Sequence, residues 1–150
     1  MSNLNTSVKF DVLRGWPWGG AIEESFVPNG TTVFKEGQLV ALNSSGNLVV
    51  APAVPVTSGA SPAQPVQLRM VIQGNDQFDG SFVGKCVTLR GAFTIKTEKY
   101  TGTQPAKGAY VSWDTTAGSE GFLKTAGATE QWVGQVEETE TNAITVAMKL

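Results

Sequence analysis

Lys35-Glu36-Gly37-Gln38-Leu39-Val40-Ala41-Leu42 leads through Asn43-Ser44-Ser45 into Gly46-Asn47-Leu48. The phrase returns as Lys107-Gly108-Ala109-Tyr110-Val111-Ser112-Trp113, Asp114-Thr115-Thr116 and Gly121-Phe122-Leu123. Each copy reads as a charged turn with Gly, a short strand, a polar turn of the Asn/Asp/Ser/Gly type that reverses a hairpin, and a second short strand. A further strand follows each copy, built on Val71-Ile72-Gln73 in the first and Val133-Gly134-Gln135 in the second. Two related strand-turn-strand units, 35–48 and 106–123, therefore predict an all-β body.

The segments around these units agree. Val66, Leu68, Met70 and Ile72 alternate with Gln67, Arg69 and Val71, the period-two pattern of a half-buried strand. Val87, Leu89, Phe93 and Ile95 share one parity, and Gly91 between them predicts a bulge or a sharp bend inside one long strand. Ile144, Val146, Met148 and Leu150 alternate to the last residue. Between the first unit and Val66, four prolines with Ser58, Gly59 and Ser61 mark a stiffened loop that the second unit mostly lacks. The total is about nine or ten short strands spaced near ten residues apart, which predicts a barrel-like, β-tulip or sandwich body over 31–150.

Residues 1–30 read differently. Met1 to Val8 is polar. Val8, Phe10 and Val12 alternate with Lys9 and Asp11 as a short strand, and Arg14-Gly15-Trp16-Pro17-Trp18-Gly19-Gly20 then forbids any regular element. This stretch is expected to be an extended N-terminal arm. Trp16 and Trp18 around one proline offer large, rigid, amphipathic contact area. They fold back on the protein's own core, anchor the arm on a partner, or stack against sugars. Val8, Phe10, Val12, Trp16 and Trp18 are the candidate partner-binding residues.

Composition narrows the function. At 150 residues the chain is expected to form one body, large enough to hold a core without disulfide or metal. The net charge of −2 carries no basic excess, so nucleic acid is not an expected partner. No apolar run reaches the ~18 residues that span a bilayer, and the N-terminus lacks a secretory signal, so synthesis in the cytoplasm and no membrane contact are expected. With no histidine, the commonest general base and metal ligand is missing, and the single Cys86 has no partner for a Cys-His pair. The carboxylates Glu23-Glu24, Glu137, Glu138 and Glu140, and Asp76 with Asp79, lack the spacing of a calcium loop and read as solvated turns. No enzyme activity, cofactor or metal is expected. Charged residues make up only 16%, against a usual ~25%, as in a surface partly covered by neighbours.

From Lys35 onward the chain resembles the phage head decoration, or capsid cement, proteins. The resemblance rests on three phrases: Glu36-Gly37-Gln38-Leu39-Val40-Ala41-Leu42 with Gly46-Asn47-Leu48; Lys85 to Phe93 followed by Lys107-Gly108-Ala109-Tyr110-Val111; and Val133-Gly134-Gln135-Val136 before a final strand. It covers roughly residues 31–150. It implies a virion protein that binds the major capsid protein on the outer face of an expanded shell and stabilises it as a homo-oligomer, a trimer by preference or a dimer. By the same resemblance the N-terminal arm orders on the capsid, although Arg14 to Gly20 matches no motif of that family. The alternatives are a carbohydrate- or receptor-binding β module with Trp16 and Trp18 as its stacking platform, or another virion part such as a tail or fibre subunit.

Overall fold

The computed structural model describes residues 9–15, 19–58, 61–62, 66–75 and 84–150. Among them the regular structure is entirely strand. The strands in chain order are β1 (Phe10–Arg14), β2 (Ala21–Phe26), β3 (Leu39–Leu42), β4 (Leu48–Val50), β5 (Thr57–Ser58), β6 (Ser61–Pro62), β7 (Arg69–Gln73), β8 (Cys86–Thr97), β9 (Tyr110–Trp113), β10 (Leu123–Thr125), β11 (Gly134–Thr139) and β12 (Ile144–Lys149). Ten of them form one antiparallel sheet that curls into a half-barrel. Its order is β10-β9-β11-β12-β8-β7-β3-β4, with β1 and β2 also paired to β8. The two-residue strands β5 and β6 pair separately within the proline-rich loop.

That order is a palindrome in the repeated phrase. β3, β4 and β7 of the first half correspond to β9, β10 and β11 of the second, and β8 and β12 meet in the middle. The hydrogen bonds match as well. Gly37 N–H donates to the Val71 carbonyl while Val71 N–H donates to Gln38; Gly108 N–H donates to Val136 while Val136 N–H donates to Ala109. Asn43 and Asp114 hold the two hairpin turns alike, each side-chain Oδ1 accepting from a backbone N–H two residues on. Both third strands slip register just after these valines, between Val71 and Gln73 and between Val136 and Glu138. The structural counterpart of Val71-Ile72-Gln73 is therefore Val136-Glu137-Glu138, three residues beyond the match that sequence alone indicates.

β8 serves both halves. Cys86 to Gly91 pairs with β2, and Ala92 to Thr97 pairs with β12. Gly91, at φ 101°, turns the strand between the two. Each half then curls until the segment after its first strand touches its own hairpin: Pro28 bridges Leu48 in one, and Tyr100 bridges Leu123 in the other.

Packing follows from this curl. The main core draws Leu39, Met70 and Leu89 from the first half and Trp113, Ile144 and Val146 from the second. Behind the first half lies a second core of Val40, Leu48, Val71 and Cys86, closed by Phe34. Asn75 pins that plug: it accepts from Phe34 N–H at 2.7 Å and donates to the Thr32 carbonyl at 3.1 Å. β7 is thus buried on both faces, with Met70 and Val71 fully buried, rather than half-buried as its alternation implies. The proline-rich loop ties the halves together. The Trp113 indole donates to the Pro52 carbonyl, and Gln131 exchanges hydrogen bonds with the backbone of Val66.

Candidate docking surface

The segment expected as an arm is, where described, part of the sheet. Phe10 to Arg14 lies antiparallel to Thr97 to Thr94, and Ala21 to Phe26 lies antiparallel to Gly91 to Cys86. β1 and β2 thus follow one another along β8. From Phe10 to Ala21 the chain advances eleven residues, while their partners Thr97 and Gly91 are six apart. The surplus falls at a register shift after Val12 and in the residues between Arg14 and Ala21. Ala21 N–H donates to the Gly15 carbonyl and closes that stretch at its base.

Glycine makes that base narrow enough. A Cβ on Gly15 would lie 2.7 Å from the Ala92 carbonyl oxygen, and one on Gly19 would strike the Gly15 backbone. In the sequence, the residues between these two glycines are Trp16-Pro17-Trp18. Trp16, Trp18 and Val8 lie outside the described residues. Phe10 and Val12 are half-buried strand residues that pack against the main core. The apolar side chains that do face outward are Leu13 just before the neck and Ile22 just after it, 46% and 47% exposed. Period-two reading misses them because both occupy the outward parity of their strands.

The carboxylates are distributed among separate cations. Glu137 pairs with Arg14, Glu138 with Lys107 and Glu140 with the half-buried Lys96; each carboxylate is itself exposed, and such pairs contribute little to stability. Glu24 accepts from both Arg69 and Arg90. The Arg69 hydrogen bond holds its carboxyl below the ordinary range, and Arg90 adds to this. The Thr101 hydroxyl, together with the Thr116 backbone, holds Asp114 low in the same direction. Among the described residues no three His, Cys, Asp or Glu side chains converge as metal ligands; Asp76 and Asp79 lie outside them. Cys86 is buried in the second core.

The remaining tryptophans divide. Trp113 is fully buried, whereas Trp132 is 45% exposed and its ring stands 4.8 Å from that of Tyr110, tilted by 43°. Comparison with family models, curated proteins and solved structures gave no match.

Proposed function

We propose that this is a structural protein of a virion, of the head-decoration kind, that binds the outer surface of a phage capsid and stabilises the expanded shell. The major capsid protein is its partner, and a homo-oligomer, a trimer first, is its working form. The observation that carries this reading is the glycine-closed base between β1 and β2. The two strands follow one another along β8 with surplus residues between them, Gly15 and Gly19 meet at the base of that surplus, and exposed Leu13 and Ile22 stand on either side of a stretch whose sequence is Trp16-Pro17-Trp18. Large aromatic side chains at the centre of a contact dominate association energies. A stretch tied down at both ends on a paired strand costs less to order than a free arm, whose residues each cost about 1–2 kcal/mol to fix. Repetition over a lattice multiplies a modest contact into firm attachment. The phrases shared with decoration proteins supply the rest of the argument.

Deleting residues 1–20 would also strip β1 from β8, so the informative variant alters the loop alone. Trp16→Ala with Trp18→Ala is expected to leave thermal unfolding of the body unchanged and to weaken binding to purified expanded capsids at least ~30-fold, the effect of losing a contact worth about 2 kcal/mol. Undiminished capsid binding by that variant overturns the docking role of the loop.

The exposed Tyr110–Trp132 pair favours a second reading, a carbohydrate- or receptor-binding module. Its rings are tilted rather than coplanar, which suits an edge contact better than a flat sugar platform. Glycan-array signals that vanish on Trp132→Ala would favour it over the first.

A further inference from the structure

Equivalent positions of the two halves carry different side chains, and the difference leaves a site. By the shared hydrogen bonds of Gly37 and Gly108, Leu42 occupies in the first half the place of Trp113 in the second. By those of Val71 and Val136, Gln67, Leu68 and Arg69 occupy the places of Trp132, Val133 and Gly134. Gly134 lies opposite Met148 in the second half; continuing the Met70–Leu89 register by one residue sets Arg69 opposite Arg90 in the first. Where the second half fills its interior with a buried indole beside glycine and methionine, the first half has a leucine and two guanidinium groups. These first-half residues line a cavity of about 130 Å³, bounded by Leu42, Gln67, Leu68, Arg69 and Arg90.

The cavity is basic by construction. Arg69 and Arg90 both donate to one oxygen of one carboxylate, Glu24 Oε1, at 2.5 and 3.2 Å. Two positive charges facing one negative charge leave an excess of +1 at the cavity wall. Arg69 is also fixed in place: its guanidinium lies 4.6 Å from the centre of the Phe26 ring, and its side chain is only 15% exposed. A guanidinium offers five N–H donors in a planar fork, and the pairing with Glu24 uses one from each arginine. The leucines that also line the cavity suit the short alkyl stem of a small acid.

We propose that this cavity is a carboxylate-binding site, taking the carboxylate of a small free acid or of an Asp or Glu side chain on a docked protein. Its planar two-oxygen group matches the guanidinium N–H donors of Arg69 and Arg90 beyond the one each gives to Glu24. The inference stands independently of the capsid reading, since it rests on the asymmetry between the two halves.

The test follows the Nε–H resonances of Arg69 and Arg90 by NMR during titration with sodium acetate, with sodium chloride at matched ionic strength as control. The expected result is a saturable shift with acetate that chloride does not reproduce. It should be lost in Leu42→Trp, which fills the cavity as Trp113 fills its counterpart, and in Arg90→Gln, which removes one fork on the surface and keeps the result readable if the first variant folds poorly. N-acetylglutamate amide in place of acetate separates the sources. Saturation by both probes supports a protein side chain as ligand, and saturation by acetate alone supports a free acid. A linear response that chloride reproduces, or a saturable one that survives Arg90→Gln, overturns the assignment.

Discussion

Trp113→Ala is expected to cost about 3–5 kcal/mol of folding stability, the range for deleting a large aromatic from a packed interior. Trp113 is fully buried in the main core and lies opposite Leu123 across the β9–β10 hairpin. Its removal leaves a void where the halves meet. It also leaves the Pro52 carbonyl without the indole N–H that reaches it at 2.8 Å, which loosens the proline-rich loop from the second half. For a chain of this length each kcal/mol moves the melting temperature by about 2–4 °C, so a drop of roughly 6–20 °C should appear in a thermal scan. Trp132→Ala removes the same group from a half-exposed position beside the Tyr110 ring, and is expected to cost about 1 kcal/mol. Equal effects of the two substitutions would contradict the placement of the core.

Gly91→Val is the second large effect. Gly91 sits at φ 101°, a conformation that side chains with a Cβ rarely adopt, and a Cβ there would lie 2.6 Å from the Gly20 carbonyl oxygen. Neither atom can yield easily, because Gly91 also exchanges two backbone hydrogen bonds with Leu150. The substitution must either straighten β8 or push β2 away from it, and straightening β8 separates the two halves. Strain of about 1–3 kcal/mol plus the backbone collision predicts a loss of about 3 kcal/mol or more, measured by urea unfolding. Gly102→Ala is the internal control. Gly102 also has positive φ, 73°, but a Cβ there meets nothing within 4 Å, so that variant should lose only about 1 kcal/mol. Similar losses from the two would mean that β8 does not need its bend.

These two positions also mark what could be read in advance. The bend at Gly91 was legible because one glycine interrupts a run of equal parity on Val87, Leu89, Phe93 and Ile95. The repeated hairpins were legible because turn chemistry is local: Asn43 and Asp114 do the same work with the same atoms. The third strand of each half was matched three residues out, since a Val-x-Gln phrase carries no information about a bulge, and it is the paired bulges that fix the true correspondence. The fate of residues 10–26 was not legible either. Alternation at Phe10 and Val12 says that one face of a strand is apolar, but not whose sheet it joins. β8 supplied the edge, and the described part of what was expected as an arm became two strands paired to it. The carboxylate pocket was hidden for a related reason. Arg69 among alternating apolar residues reads as a solvent-facing position, and only the second core behind β7 turns that face inward.

The central claim is that the molecule works by coating a repetitive shell. Its most direct test is the copy number of this chain on purified virions, measured by quantitative mass spectrometry against the major capsid protein with heads and tails separated. The account predicts that the chain stays with the heads in a small whole-number ratio to the capsid subunit. Absence from the heads, or a handful of copies travelling with the tails, would contradict it.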